Sequence, residues 1–568
     1  MSSDDPRPAG PEDERTDDVQ DPDVVGAAPV AGAARRGGFV RDTAVMSAGT
    51  ALSRITGFLR LAAMAYAIGF TESQVADAYA IANVTPNILY ELVLGGILTS
   101  VVVPVFVEWL TVHGRDEAWD VARHLFSFAL VVLALVATIA AVLAPWIVDL
   151  YTSGVEEARR AEVRELGTFF LRWFLPQIVF YGVGAIANGL LNAHRRFAAT
   201  MFAPILNNLI VIATFIAFGL MGGLGPDGTA TRAQELVLAL GTTAGVVGMT
   251  LALLPTLRST GFRFAWRTDW RHAAVRRIAS LARWVVLYVA ANQIGYLVVV
   301  VLAESAFQGA YPAYAAAFIL FQLPHAIFAV SIFTALLPAM SERWAAGDVE
   351  GFRERMTEGI RATASIVIPA ALGYLVLARP IVRLLLEHGV VEPRSGRLVA
   401  DLLVAFAVGL FPFSVFQLLL RASYAMQDTR TPALVNVAAL VVNVVADLVL
   451  FFVLDLGVQG LALGHAASYA FASVALAVLV RRRVGRLGLR GIVDGIGRTL
   501  LAGGASAGAA WGVARVLADA LGTASILEQG VQVVAAVGAG LVVFVVAATI
   551  LRIEEVATVR RQLARFGR

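Results

Sequence analysis

From Arg41 almost to its end the chain is a succession of apolar runs, each near or above the roughly 20 residues that a helix needs to cross a bilayer. In hydrocarbon every backbone N–H and C=O must find a partner within the protein, so repeated runs of this length become helices packed on one another. About fourteen runs are legible, over 43–69, 77–111, 120–151, 162–193, 197–222, 232–256, 276–304, 311–341, 355–386, 396–426, 431–454, 458–481, 493–520 and 529–552. Several exceed a simple crossing, as expected of tilted or bent helices whose ends protrude into water. The expected fold is an all-α polytopic membrane protein with about fourteen transmembrane helices.

Composition excludes the main alternatives. Of 568 residues, 58% are apolar and only 15% charged, and mean hydropathy is +0.74; soluble proteins carry roughly 25% charged residues. A soluble enzyme is ruled out. With no Cys there are no disulfides, thiolate metal sites or cysteine nucleophiles. The seven His show no metal-binding spacing. All 45 basic residues are Arg, which excludes lysine Schiff-base chemistry. A net charge of +3 is too small to suggest nucleic acid, and without a Walker A pattern no ATP hydrolysis by this chain is expected.

Residues 1–40 differ in kind. They are acidic and Pro-rich with few large apolar side chains, so they cannot bury enough surface to order themselves. They lack the basic start and apolar centre of a secretory signal. A disordered cytoplasmic tail is expected there. Arg placement then sets orientation, because cytoplasmic connections are enriched in basic residues. Arg35, Arg36 and Arg41 precede the first run; Arg195 and Arg196, Arg258 to Arg271, Arg343 and Arg353, and Arg481 to Arg490 fall in alternate connections. Both termini are therefore expected in the cytoplasm, on a multi-pass protein of the inner (plasma) membrane.

An internal repeat underlies the runs. Pro104 in LTSVVVPVFVEW corresponds to Pro338 in FTALLPAMSERW, and GLLNAHRRFAATMFAP (189–204) to RASYAMQDTRTPA (421–433), both at an offset of about 233 residues. Six crossings separate the copies, so the halves have the same orientation, and parallel repeats place a transporter's path at their interface. The expected organisation is a first lobe at 41–256 and a second at 257–490, the latter preceded by a basic amphipathic segment (256–277) suited to anionic lipid. Two further helices at 491–552 and a cytoplasmic tail at 553–568 complete the chain.

Ionisable groups inside apolar runs are costly unless they face a cavity or a partner, so they point to function. Arg54 lies thirteen residues past Arg41, or about 20 Å along a helix; Arg60 follows six residues later. One reading is salt bridges to Glu91 or Asp77 that hold helices together. The other is a phosphate site, since guanidinium forks meet phosphate oxygens bidentately. Asp77 opens the second run, where a carboxylate is favoured by the helix dipole; it and the deeper Asn87, Tyr90 and Glu91 are the cavity or gate candidates. Asn443 and Asp447 are spaced i, i+4 and share a helix face. An amide oxygen beside a carboxylate suits a small cation or a proton, with His465 as a further ligand; the bland alternative is a hydrogen bond that seals packing.

Taken together, SRITGFLR (53–60), ADAYAIANVTPN (76–87), GLLNAHRRFAATMFAPILNN (189–208), LPAMSERW (337–344) and YAMQDTRTP (424–432) resemble the MurJ/MviN lipid II flippases, of actinobacterial type, within the multidrug/oligosaccharidyl-lipid/polysaccharide exporter superfamily. The resemblance implies two six-helix lobes around a central cavity, with two C-terminal helices forming a groove for the lipid tail. It implies a substrate, undecaprenyl-diphosphate disaccharide-pentapeptide, moved from the inner to the outer leaflet for peptidoglycan synthesis, and hence for cell-wall biogenesis and cell shape. Arg54 and Arg60 match the family's two first-helix arginines, Asp77 its second-helix acid, and Asn443 and Asp447 part of a sodium site found in some members. Departures stand beside these matches. Tyr90 and Glu91 occupy a place where some relatives have two arginines, and Ile319 a place where some have one; the seventh run offers Asn292 and Gln293 but no acid for the sodium site.

A non-enzymatic flippase working by alternating access is thus expected, without cofactor beyond Na+ or H+ as coupling ion. It would act as a monomer on lipid II among membrane lipids, beside peptidoglycan synthesis and division proteins. Two alternatives use the same fold: an exporter of another polyprenyl-diphosphate glycan or of drugs, and a non-transporting cell-wall scaffold. Two buried guanidiniums disfavour cationic drugs, because like charges repel strongly at low dielectric.

Overall fold

A computed structural model of the chain describes residues 36–92, 114–194, 196–267, 269, 273–485 and 488–555. Among the described residues there are helices and connections but no strand. The first lobe comprises α1 (Arg36–Ile68), α2 (Gln74–Tyr90), α3 (Arg115–Tyr151), α4 (Glu157–Phe174), α5 (Gln177–Ala193), α6 (Phe197–Leu220) and α7 (Arg232–Ser259). The second comprises α8 (Ala273–Ala306), α9 (Ala310–Pro324), α10 (Val330–Ala345), α11 (Val349–Leu386), α12 (Pro393–Ala407), α13 (Leu410–Ala425), α14 (Arg430–Leu448) and α15 (Gly457–Val484). A C-terminal pair, α16 (Leu489–Leu521) and α17 (Ile526–Ile550), follows.

Ten helical segments among the described residues are long and apolar enough to cross a bilayer, eleven if α12 and α13, which meet at 50°, count as one. The other three expected runs fall on α1, α8 and α2, and the run containing α2 passes out of the described residues after residue 92. Expected crossings and observed helices differ where proline or a widened turn intervenes. Pro176 separates α4 from α5, and a π-helical turn, His325–Ala329, follows Pro324 between α9 and α10. Both are places where the regular i to i−4 ladder is interrupted.

Small residues let the helices approach without a hydrophobic driving force between them. A Cβ on Gly241 or Gly245 of α7 would strike Thr214 or Asn207 of α6, and α6 in turn packs on α1. In the second lobe α15 packs on α13 and α14. In the C-terminal pair Ser506 Oγ of α16 donates to the Gly540 carbonyl of α17 (2.7 Å), and the pair rests on α11, where Arg361 pairs with Glu554 and Glu555 (2.9 and 2.8 Å). The repeated segments 189–204 and 421–433 form equivalent corners, from α5 to α6 and from α13 to α14. Pro104, residues 1–35 of the expected tail, and 556–568 lie outside the described residues.

Part of the basic segment after α7 is not helical. Residues 262–267 run without helix along the start of α3, where Arg267 Nε donates to Asp120 (2.9 Å) and Phe262 is buried against Trp119 and Phe126. Positions 268 and 270–272 of that segment lie outside the described residues.

The lobes join at one end, where α1 finishes and α2 begins. Val390 N–H donates to the Tyr66 carbonyl (3.2 Å), and the Thr71 and Ser395 hydroxyls share a hydrogen bond. Glu72 links both sides, accepting from Phe70 N–H (2.6 Å) and from Glu392 N–H (2.9 Å). Gly309 has φ +80°, and a Cβ there would collide with the Phe70–Thr71 backbone. Only glycine combines that conformation with so close an approach.

Candidate functional site

Between the lobes, on the α1 side of this joined end, lies a cavity of about 350 Å³. Its first-lobe wall carries the polar side chains Arg60, Asn83, Asn87, Tyr181 and Asn207 among apolar ones such as Leu61 and Phe215. The facing wall from the second lobe carries Tyr296, Tyr311 and Ile319. Asn208 Nδ2 donates to Thr56 Oγ1 (3.0 Å) and to the Ser53 carbonyl (3.3 Å), which fixes the rotation of α1 against α6. Arg60 is thereby presented to the cavity, half-buried. Arg54 is exposed, about 9 Å nearer the start of α1. It comes within electrostatic reach of His325 on the second lobe.

Arg421 of α13 also comes within electrostatic reach of His325. Its guanidinium stands 5.1 Å from the centroid of the Phe333 ring, a cation–π placement. Sequence reasoning missed this residue, which closes the apolar run FSVFQLLL; an Arg at such a place usually snorkels to water. Among the described residues none of Arg54, Arg60 and Arg421 pairs with a carboxylate. The expected alternative, salt bridges from the α1 arginines to Asp77 or Glu91, is not what the structure forms. Tyr90 packs against Tyr181 with ring centroids 5.6 Å apart, behind the cavity wall, and Glu91 is half-buried beside it without lining the cavity.

Asp77 lies at the lobe junction rather than in the cavity. It is fully buried, and its Oδ1 accepts the Gly309 N–H at 2.9 Å. Two further charged residues absent from the sequence reading join it there. Arg159 of α4 donates through Nη2 to the Glu304 carbonyl oxygen (2.6 Å) and stands 3.9 Å from the Glu304 carboxylate. The acid of the seventh run is therefore Glu304, at the far end of α8 from Asn292. Its signal in the sequence was a lone Glu closing the run VVVVLAE.

In the second lobe Asn443 Nδ2 donates to Asp447 Oδ1 at 3.1 Å, both residues being buried, so the shared face places them together. Asp447 Oδ2 has no hydrogen-bond partner. The residue pressed onto Asp447 is Gly464, where any Cβ would collide with Oδ1. His465 instead sits among Phe318, Phe321, Phe406 and Tyr469, with ring centroids 4.7–6.2 Å away. Among the described residues no three His, Asp or Glu side chains converge as a metal site. The pair leaves one carboxylate oxygen, Asp447 Oδ2, without a hydrogen-bond partner.

Comparison with known proteins follows the same lines. A family model described as lipid II flippase MurJ matches residues 64–532. The chain is 29% identical over 413 residues to a probable lipid II flippase MurJ of Rhizobium meliloti (strain 1021), covering 73% of this chain and 75% of that one. It is 27% identical over 452 residues to the lipid II flippase MurJ of Burkholderia cenocepacia, covering 78% and 84%. Among solved structures, a lipid II flippase MurJ in an inward closed conformation superposes with a TM-score of 0.70 at 18% identity, covering 89% of this chain and 98% of that one. An inward-facing multidrug resistance transporter of the MATE family superposes with a TM-score of 0.63 at 15% identity, covering 76% and 95%. At those identities the structural likenesses speak for the fold alone.

Proposed function

The chain belongs to the lipid II flippase MurJ family, and from that premise we propose that Arg54 and Arg60, with Arg421 opposite them, hold the diphosphate of lipid II while it crosses the membrane. The protein is a multi-pass membrane transporter and not an enzyme. The observation that carries the reading is Arg60 on the cavity wall, with Arg54 nearer the start of α1 and, like Arg421 of the second lobe, within electrostatic reach of His325, none neutralised by a carboxylate among the described residues. A single Arg at the centre of a crossing helix costs roughly 3 kcal/mol on insertion scales, so a set of them calls for a counter-anion. A diphosphate presents several oxygens to bidentate forks.

The sugars would rest against the amide-lined wall of Asn83, Asn87 and Asn207, and the polyprenyl tail in lipid along α16 and α17. Arg placement favours both termini in the cytoplasm; the joined end of the lobes would then lie outside, and the cavity in this state would load from the inner leaflet. Asn443 and Asp447 would hold the coupling proton or a weakly bound Na+. The membrane potential can also contribute, at about 2.3 kcal/mol per charge per 100 mV. The monomer would serve the enzymes of peptidoglycan synthesis and division. The test is depletion of the protein in its host, with lipid II accumulating in the inner leaflet as the expected result; unchanged lipid II distribution would refute the reading.

A further inference from the structure

Glu304 is fully buried at the lobe junction, and neither of its carboxyl oxygens has a hydrogen-bond partner. Asp77 is equally buried; Oδ1 accepts from Gly309 N–H and Oδ2 has no partner. Arg159 supplies the local cation, and part of its capacity goes to the Glu304 carbonyl. The groups that face Glu304 are Asp77 of α2, Arg159 of α4, and Tyr311 of α9, whose hydroxyl shares a hydrogen bond with Tyr296 of α8 (2.8 Å). Tyr151 of α3 lies within electrostatic reach of Tyr311 in turn. The nearby Asp149 of α3 is occupied by Arg160 and Arg164 (3.7 and 2.9 Å). The tyrosines are neutral, so among the described residues two carboxylates against one guanidinium leave one uncompensated negative charge in a buried junction. Burying such a charge without partners is strongly unfavourable.

We propose that Asp77 and Glu304 form a proton-binding site that is loaded while the lobes are joined at this end. One proton taken from water brings the cluster to neutrality. Asp77, held by Gly309 N–H, is the ionised partner of Arg159, and Glu304 carries the proton. Parting the lobes draws α2 away from α8 and α9, admits water to both carboxyls and returns the proton to the aqueous phase. The site is separate from Asn443 and Asp447, which lie within the second lobe. Its linkage has a definite sign: acid favours the joined state, and one proton per conformational step changes the ratio of joined to parted lobes by at most about tenfold per pH unit.

The proposal rests on lobes that alternate about the cavity, and the experiment separates the two ideas. Ser153 and Arg394 are exposed near the junction, one on each lobe, and the chain has no native Cys. Spin labels on Ser153→Cys and Arg394→Cys, in the full chain in lipid nanodiscs, report the separation between about pH 5 and pH 9. A short distance should dominate in acid and a longer one grow as pH rises. Glu304→Gln should keep the short distance throughout, and Glu304→Asp, which still titrates, should retain the response. A wild-type distribution unchanged with pH, or a Glu304→Gln variant that responds as wild type does, overturns the proposal. A pH-dependent distance in a protein that moves no lipid II would keep the proton site and remove the proposed function. Flipping of lipid II with pH-independent distances would do the reverse.

Discussion

At the joined end of the lobes Asp77 accepts the Gly309 N–H at 2.9 Å and Arg159 stands 3.9 Å from Glu304, whereas across the cavity Arg54, Arg60 and Arg421 have no carboxylate partner among the described residues. Both regions place charge deep in an apolar protein. One spends it on the other lobe and so holds a conformation; the other leaves it unspent. Charges that pair with protein should, when removed, change the balance between conformations. Charges without a carboxylate partner should, when removed, change what the protein binds and leave the fold alone.

The sharpest break of this contrast is Arg54→Ala combined with Arg60→Ala. Neither guanidinium supports an ion pair among the described residues, so the thermal midpoint of the purified variant should stay near wild type while lipid II flipping falls below detection. Hydrogen bonds to charged groups contribute roughly 1.5–3 kcal/mol each, or about ten- to a hundredfold per arginine. A variant that unfolds instead would make these residues structural. Arg54→Lys should lose about tenfold, because a point charge lacks the planar fork. At the joined end, Gly309→Val introduces a Cβ into the Phe70–Thr71 backbone at φ +80°. Disulfide formation between Thr71→Cys and Ser395→Cys should then fall severalfold, and an unchanged yield would show that close approach there is dispensable.

Smaller effects test the second lobe and the edge of the junction. Asp447→Asn preserves shape and the contact with Asn443 while removing charge. Transport should drop a few-fold with expression unchanged, and identical rates at all pH values and Na+ concentrations would leave only packing. Ser73 caps α2, accepting from Ala76 N–H (3.3 Å) and donating to the Ile68 carbonyl (2.8 Å). Ser73→Ala should cost about 1 kcal/mol, read as a small fall in the thermal midpoint without loss of flipping.

What could be read from the sequence was what depends on neighbours along the chain. Apolar length locates the helices, the i, i+4 spacing brings Asn443 to Asp447, and the repeat aligns the corners at 189–204 and 421–433. What escaped depends on distant partners. Arg159 and Glu304 are 145 residues apart, and Arg159 sits among Glu156, Glu157 and Arg160 like any solvated loop charge. His465 neighbours the right residue in sequence, yet Gly464 is the one that touches Asp447, because only a residue without a Cβ fits there. Arg421 resembles a helix-end arginine until the packing on Phe333 is known.

Whether the cavity recognises a diphosphate through α1 decides what the α1 arginines are for. The most direct measurement is binding of undecaprenyl diphosphate against undecaprenyl monophosphate to the full chain in nanodiscs, for wild type and for Arg54→Lys. Bidentate recognition predicts a preference for the diphosphate of about tenfold or more in wild type, shrinking toward equality in the lysine variant. Equal affinity for the two lipids in wild type, or a preference that survives Arg54→Lys undiminished, would contradict it.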